Sequence, residues 1–180
     1  MQYLVICEGP NEKAIIEMLI DANKLIIGKK DLLNREVFIS RQIYNTPQIK
    51  TALKTYNNKI EIWRIGDTLK DALRIPEEFK QYIDKDRIRK FCTKPEIEML
   101  LIINNNLFKE YNKVKSSICP KDFAKSNIKL RNTRYNNKTD FWKEYYKNKF
   151  NQLVDDIREY KHKKKNNKLN KEEYLADILK

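Results

Sequence analysis

An uninterrupted apolar run near the N-terminus, ending abruptly at an acid, restricts the fold more than any other feature of the chain. Residues 3–7 are Tyr-Leu-Val-Ile-Cys, and Glu8 and a Gly-Pro pair follow at once. A run rich in β-forming residues, without polar alternation, is typical of a strand buried on both faces of a parallel sheet. The Gly-Pro pair ends this strand, and Asn11 is predicted to cap a helix that continues to about residue 24.

Strand-like and helix-like segments then alternate over the first 106 residues. Further strands are predicted at residues 36–40, 59–65 and 87–92. Helices are predicted to begin near Thr46, Ile75 and Thr93. This βαβα order predicts an α/β fold: a doubly wound parallel sheet of about four strands flanked by helices.

The character of the chain changes after about residue 106. We expect an α/β core in residues 1–106 and a basic helical extension in residues 107–180 that packs on the core or extends it. Residues 121–138 are basic and Asn-rich without periodicity, which predicts an irregular loop. A long helix is predicted from Thr139 to about residue 160. A capping box of Asn170 and Glu173 then predicts a last short helix.

The net charge of +13 calls for a physical reason, because like charge opposes compaction. Most of the excess lies beyond residue 100. The usual reason is a polyanionic partner, and we expect nucleic acid. A Lys- and Asn-rich proteome bias is the alternative explanation.

The same sequence predicts a soluble, cytoplasmic protein without a membrane partner. The longest apolar stretch, residues 99–103, is far too short to span a bilayer, and the N-terminus has no basic region typical of a signal peptide. The three cysteines are scattered singly, which argues against a disulfide framework and against a zinc site.

Several chemistries are excluded by the residues the chain lacks. The single histidine, His162, lies in a lysine run and is expected to be a solvated surface residue. The sequence contains no phosphate-binding GxxxxGK[ST] loop, no GxGxxG turn and no GxSxG nucleophile elbow. Acidic chemistry remains, which in a basic protein points to carboxylates holding Mg²⁺ or Mn²⁺ against phosphates.

Glu8 is the first candidate, because ligands in open α/β sheets bind beyond the carboxyl ends of strands. Residues 3–13, YLVICEGPNEK, resemble the first motif of the Toprim family, an apolar strand that ends in Glu-Gly before a helix. Toprim domains occur in topoisomerases, primases, small RNA-maturing nucleases and phage-defence nucleases of the overcoming-lysogenization-defect type. The resemblance implies a compact four-stranded parallel sheet with a glutamate, matched by Glu8, and later aspartates around Mg²⁺.

The second Toprim motif, Asp-x-Asp after a strand, is matched only in part. Asp67 follows the third predicted strand where the first aspartate belongs, but Leu69 occupies the second position and Asp71 comes two residues late. The Asp-Lys-Asp triplet at residues 84–86 has the correct spacing, yet the segment before it looks helical. We prefer Asp67, because a metal site needs rigid strand ends. A helix cap or surface turn is the alternative role of Asp67.

A third acidic cluster opens an apolar helix after the last predicted strand. Thr93 and Glu96 have the spacing of a capping box. Glu98 has apolar neighbours at helical spacing, and a buried carboxylate is unfavourable unless it meets a cation. A Pro and a Glu opening such a helix also resemble the phage-defence Toprim nucleases. Glu98 is therefore a candidate third metal ligand, and Lys94 a candidate phosphate contact.

Basic residues interleaved with Phe123 and Tyr135 predict a groove that tracks phosphates and stacks occasional bases. A purely solubilising surface is the alternative. The predicted nucleic-acid contacts are Lys94, Lys121, Lys125, Lys129, Arg131, Arg134 and Lys138.

Together these features predict a Mg²⁺-dependent (or Mn²⁺-dependent) Toprim-like nuclease acting on RNA or DNA, and the resemblance suggests a setting in phage defence. Glu8 would position or deprotonate the attacking water. Asp67, with Asp71 or Glu98, would hold the metal with Glu8 against the scissile phosphate. A non-catalytic nucleic-acid-binding module beside a partner ATPase, and primase-like nucleotidyl transfer, are the alternatives. The sequence indicates neither the oligomeric state nor a choice between RNA and DNA.

Overall fold

A parallel sheet of five strands lies at the centre of the protein. The computed structural model describes residues 1–56, 58–67, 71–164 and 173–180. The strands are β1 (Gln2–Cys7), β2 (Leu32–Ile39), β3 (Ile60–Gly66), β4 (Ile83–Cys92), β5 (Lys129–Leu130), β6 (Thr133–Arg134) and β7 (Glu173–Tyr174). The sheet has the order β2-β1-β3-β4-β7, and each neighbouring pair is parallel; β5 and β6 form a separate antiparallel hairpin. The predicted α/β fold with a parallel sheet is confirmed.

Helices cover both faces of this sheet. They are α1 (Pro10–Asp21), α2 (Pro47–Lys54), α3 (Met99–Asn104), α4 (Phe108–Val114), α5 (Pro120–Asn127), α6 (Thr139–Tyr145) and α7 (Phe150–Lys164). Short 3₁₀ turns are found at Lys29–Asp31, Ile43–Asn45, Glu77–Phe79 and Leu175–Ile178. Among the described residues the longest helix is α7, with 15 residues. Within the described part of the chain, no helix is long and apolar enough to cross a membrane.

The apolar run of β1 is explained by its place between β2 and β3. Val5 and Cys7 enter one core with α1, α3 and the later helices, while Leu4 and Ile6 enter a second core with α2 on the other face. All four side chains are buried, so alternation with polar residues would leave a polar group in one core. Each buried aliphatic side chain contributes about 1.5–3 kcal/mol.

Helix α1 begins two residues earlier than predicted and ends at Asp21 rather than near residue 24. Pro10 takes the first helical position, where its fixed φ and missing N–H are favourable, and Gly9 is the N-cap. Asn11 therefore caps nothing. It is buried, and its Nδ2 donates to Asn137 Oδ1 at 2.9 Å.

The helix predicted near Ile75 is wrong, since only the turn Glu77–Phe79 forms. Phe79 is buried in the second core, and β4 starts as early as Ile83. These anchors leave no room for a helix between them. The triplet at residues 84–86 consequently lies near the N-terminal end of β4, at the opposite end of the strand from the edge that follows Cys7 and Gly66.

The segment at residues 121–138 is not an irregular loop, because α5 and the β5–β6 hairpin occupy most of it. Arg131 turns the hairpin with a φ of 53°. The predicted long helix after Thr139 is likewise divided into α6 and α7. Asn148, with a φ of 59°, lies between them, and asparagine tolerates this left-handed backbone better than most residues.

The predicted last helix is also wrong within the described residues. Glu173 and Tyr174 form β7, which pairs with Phe91 and Cys92 of β4, and a 3₁₀ turn follows. Asn170, the other half of the predicted capping box, lies outside the described residues. Tertiary pairing with the sheet edge thus overrides the local helical pattern.

Segments on both sides of residue 106 share one apolar core. Leu19 and Leu101 from the first part join Trp142, Tyr146 and Ile157 from the second. The later helices therefore complete the same face of the sheet that α1 and α3 cover.

Arg89 ties β7 to the rest of the sheet. Its Nε and Nη2 donate to the two carboxylate oxygens of Glu173 at 2.9 and 2.5 Å. Its guanidinium also lies 4.9 Å from the ring centre of Phe91 and 5.8 Å from that of Trp63. Bidentate pairing and stacking on aromatic rings both favour arginine over lysine here.

Replacing Arg89 by Met should lower the free energy of unfolding by about 1–2 kcal/mol, because the charge-assisted hydrogen bonds are lost while the apolar stem is kept. Hydrogen exchange of the backbone amides that join β7 to β4 should accelerate as β7 loosens. Chemical denaturation and amide exchange measure the two effects. The exposed Arg87→Met on the same strand is the control, and an equal loss in both variants would contradict the anchoring role.

Candidate functional site

An acidic cleft of about 260 Å³ opens where β1 and β3 end and α1 begins. Its acidic lining residues are Glu8, Glu12, Asp67, Glu96 and Glu98, and its basic ones are Arg41 and Lys121. Glu8 and Asp67 meet there because the carboxyl ends of parallel strands lie along one edge of the sheet. The structure thus brings the predicted carboxylates Glu8, Asp67 and Glu98 to one place.

Glu8 is held at the strand end by the sheet itself. Its backbone N–H donates to the Ile65 carbonyl at 2.8 Å, and its side chain is only 11% exposed. The neighbouring residue across the ladder is Gly66, where an added Cβ would collide with the Glu8 carboxylate. A glycine at the end of β3 therefore makes space for this acid.

Asp67 directly follows β3, and the backbone on its N-terminal side is fixed. The Gly66 carbonyl accepts the Thr93 N–H at 3.0 Å, which joins the ends of β3 and β4. Asp71 is exposed and is not among the residues lining the acidic cleft; its backbone carbonyl accepts Arg64 Nη1 at 2.6 Å. Leu69 lies outside the described residues.

Glu12 is an acid of the cleft that the sequence analysis missed. It lies four residues after Glu8, in the first turn of α1, and Gly9 leaves room for it, since a Cβ at Gly9 would be 2.7 Å from Glu12 Oε2. Burial raises the pKa of Glu12 to about 7, and the negative charges of Glu98, Asp67 and Glu8 add to this effect. Glu12 is therefore partly protonated at neutral pH.

Glu98 is 2% exposed, as its apolar neighbours predicted. The hydroxyl of Tyr135 donates to Glu98 Oε1 at 2.6 Å and also lies 3.1 Å from Asn137 Oδ1. Burial raises the pKa of Glu98, while the Tyr135 hydrogen bond opposes the rise. Because Tyr135 and Phe123 are both buried, neither is placed to stack on bases as the sequence suggested.

The predicted capping box of Thr93 and Glu96 does not form, because α3 begins later, at Met99. Glu96 instead accepts the backbone N–H of Lys121 through Oε2 at 2.7 Å. The buried Thr93 Oγ1 has no hydrogen-bond partner among the described residues. Glu96 thus joins the segment before α3 to the start of α5.

Residues 121–138, the basic segment, begin and end beside the acidic cleft, since Lys121 and Asn137 both line it. Lys125 pairs with Asp122 at 3.2 Å, and Arg131 lies 3.9 Å from Glu144. The remaining predicted contacts of the segment, Lys129, Arg134 and Lys138, are exposed. Lys94 is partly buried after the end of β4 and is not a lining residue of the cleft.

A buried arginine that the sequence analysis missed lies beneath the cleft. Arg64 is 4% exposed and donates to the backbone carbonyls of Asp71 and Arg41 at 2.6 and 3.5 Å. Burial lowers its pKa, and the nearby charge of Glu8 opposes that shift. Arg41 in turn places its Nε 3.3 Å from Glu8 Oε1.

The donor chemistry of the cleft suits a hard divalent cation. Carboxylate and amide oxygens are the ligands that Mg²⁺ and Mn²⁺ prefer, and the buried Asn11 Oδ1 makes no hydrogen bond with any described residue. As the described side chains stand, however, no group of three or more His, Cys, Asp or Glu residues could hold a metal ion. The oxygen atoms of the cleft are therefore of the chemical type that binds such an ion. In this structure Arg41 contacts Glu8, and Tyr135 contacts Glu98.

A wider groove of about 1160 Å³ is lined by residues of α3, α4 and α7. Its buried acid, Asp156, accepts hydrogen bonds from Asn104, Tyr146 and Gln152 at 2.8–3.1 Å. Three donors satisfy this carboxylate, so it needs no external cation. We place the candidate site in the acidic cleft, where several acids crowd together.

Glu12→Gln should flatten the pH dependence of stability. The raised pKa of Glu12 stabilises the fold fully below about 4.5, and this contribution is lost as pH rises through about 7. Above pH 7 the variant should gain on the order of 3 kcal/mol relative to wild type, at 1.36 kcal/mol per pKa unit. Urea denaturation across this range measures the effect.

Glu17→Gln, on the same helix but partly exposed and paired with Lys13, is the control and should follow the wild-type curve. Other acids with raised pKa values, such as Glu98, remain in all three proteins and cancel in the comparison. Parallel curves for wild type and Glu12→Gln would show that Glu12 titrates normally.

Comparison with protein-family models, with curated proteins and with solved structures finds no match to this chain. The interpretation of the acidic cleft therefore depends on the geometry and chemistry of its own residues. The Toprim resemblance of residues 3–13 remains a prediction from the sequence.

Proposed function

We propose that the protein is a nuclease that uses Mg²⁺ or Mn²⁺ to hydrolyse phosphodiester bonds of RNA or DNA. The observation that carries this proposal is the convergence of Glu8, Glu12, Asp67 and Glu98 on one cleft at the carboxyl ends of the parallel strands. Clustered and partly buried carboxylates are costly unless cations or hydrogen-bond donors compensate them, and a divalent cation would compensate several at once. A divalent ion between carboxylates and a phosphate joins the acidic cleft to a polyanionic substrate.

Glu8, Asp67 and Glu98 are the proposed ligands. Asp67 and Glu98 have to turn toward Glu8 to share an ion with it, and the exposed Arg41 side chain has to move aside. When bound, the ion would stabilise charge on the phosphate and lower the pKa of an attacking water. Tyr135 holds Oε1 of Glu98 through a hydrogen bond and so fixes the position of this carboxylate beside the cleft.

Two acids have proposed roles in proton transfer. Glu8 accepts a proton from the water whose oxygen attacks phosphorus, and the bond from phosphorus to the leaving oxygen breaks. Glu12, with a pKa of about 7, is partly protonated at neutral pH and can supply a proton to that leaving oxygen. A pair of acids with separated pKa values is the usual arrangement for such chemistry.

The basic segment is the proposed seat for the nucleic-acid strand. It begins at Lys121 beside the cleft and presents exposed Lys129, Arg134 and Lys138 beyond it. Contacts of this kind bind phosphates without regard to sequence. The Toprim resemblance supports a setting in phage defence, with an ATPase as a candidate partner.

A second candidate function is a nucleic-acid-binding module without catalysis. The observation that favours it is the engagement of two key acids, with Arg41 against Glu8 and Tyr135 against Glu98. In this case Arg41 and Tyr135 would stabilise the two carboxylates permanently, and no metal ion would be needed. The incomplete Asp-x-Asp motif is consistent with a protein that lacks catalytic activity.

Glu8→Gln should reduce metal-dependent cleavage by roughly 10²-fold or more, because glutamine keeps the volume but loses the charge that holds metal and accepts a proton. The assay follows labelled DNA and RNA with Mg²⁺ and with Mn²⁺. Glu17→Gln serves as the matched control and should cleave like wild type. Equal cleavage by wild type and Glu8→Gln would place the activity elsewhere, and no cleavage by wild type would favour the binding module.

Removing four charges of the basic segment should weaken nucleic-acid binding and lower its salt dependence, because fewer counterions are released. The variant replaces by Gln the residues Lys125, Lys129, Arg131 and Arg134. A control with the same loss of charge replaces by Gln the exposed residues Lys29, Lys30, Arg35 and Lys54. Fluorescence anisotropy over a salt series measures both. Equal affinity of the two variants would show that the basic segment only solubilises the protein.

A further inference from the structure

Arg41 occupies a position at the acidic cleft that neither the sequence analysis nor the metal chemistry above explains. It follows β2, whose carboxyl end lies next to that of β1, and its Nε is 3.3 Å from Glu8 Oε1. The two partners differ in exposure: the Arg41 side chain is 73% exposed and the Glu8 side chain 11%. The arginine can therefore leave the acid at little cost, whereas the acid stays in place.

Arg64 fixes the backbone of Arg41 while its side chain remains exposed. The buried guanidinium of Arg64 donates to the Arg41 carbonyl at 3.5 Å and to the Asp71 carbonyl at 2.6 Å. Its own charge is buried close to Glu8. The backbone of Arg41 is thus held at the rim of the cleft, and only its long side chain has to move.

We propose that Arg41 is the phosphate-binding residue of the acidic cleft. When a divalent cation binds beside Glu8, the Arg41 guanidinium leaves Glu8 and binds a phosphate oxygen of the substrate. This inference rests on the proposed function and names the group that the rim of the cleft recognises, an anionic phosphodiester.

The charges of the cleft support this exchange. Among its described lining residues five are acidic and two are basic. A divalent cation beside Glu8 would attract the carboxylates of the cleft and repel the guanidinium of Arg41. The released guanidinium lies at the mouth of the cleft, where its planar fork can bind two phosphate oxygens. Lys121, the other basic lining residue, donates its backbone N–H to Glu96.

The exchange predicts opposite effects of one substitution on two ligands. Arg41→Gln should tighten Mn²⁺ binding about two- to fivefold, because the competing cation of a partly exposed ion pair is gone. The same variant should lower the cleavage rate at saturating Mn²⁺ by roughly 10-fold or more, because the phosphate loses its bidentate partner. Electron paramagnetic resonance of free and bound Mn²⁺, without nucleic acid, measures the first effect, and cleavage of a labelled oligonucleotide measures the second.

Two further variants separate the charge of Arg41 from its shape and from bulk charge. Arg41→Lys should bind Mn²⁺ like wild type, since the competing charge is kept, but it should cleave more slowly. Arg35→Gln, exposed on β2, removes one charge away from the cleft and should change neither property. Thermal unfolding of every variant establishes that each is folded.

Each outcome decides the proposal. Tighter Mn²⁺ binding together with slower cleavage by Arg41→Gln supports it. Unchanged Mn²⁺ affinity overturns the exchange, and unchanged or faster cleavage overturns the role at phosphate. A wild-type protein that binds no Mn²⁺ overturns this inference along with the proposed nuclease, whereas a wild type that binds and cleaves while Arg41→Gln does the same overturns the inference alone.

Discussion

Crowding of negative charge at the end of the sheet is the constraint on which the candidate site depends. Carboxylates buried side by side repel one another and lose their hydration, so each needs a cation, a proton or a hydrogen-bond donor. The protein uses all three. Arg41 pairs with Glu8, a raised pKa keeps a proton on Glu12 part of the time, and Tyr135 donates to Glu98. Each of these interactions stabilises one carboxylate, whereas a single divalent cation would neutralise the charge of several carboxylates together.

The sequence predicted the parts of the site that depend on local pattern. The apolar run of β1 locates Glu8 at a strand end, Asp67 follows β3 for the same reason, and the apolar surroundings of Glu98 predict its burial. A parallel sheet then brings the first two together without further information. Errors arose where tertiary contacts override local preference, as at Glu173, which pairs with β4 instead of starting a helix.

Other residues of the site could not be predicted, because their roles depend on contacts between distant segments. Tyr135 reaches Glu98, and Asn137 reaches the cleft, only because the later helices pack on the same face of the sheet as α1. Arg64 looks like an ordinary member of an alternating strand until its carbonyl partners are known. Glu12 had a detectable signal, its place four residues after Glu8, but an acid at that spacing is more often a solvated surface residue.

Gly66 has a consequence for how this chain can vary. Its missing side chain makes room for the Cβ and the carboxylate of Glu8 across the β1–β3 ladder. Related chains should therefore change the two positions together: a Cβ at position 66 would lie 2.7 Å from the Cβ of residue 8 as well as against its carboxylate, so a shorter acid would not relieve the contact, and position 8 would have to be glycine or the strand ends would have to move apart. A relative with glutamate at position 8 and a bulky residue at position 66 would need a different path of the backbone after β3.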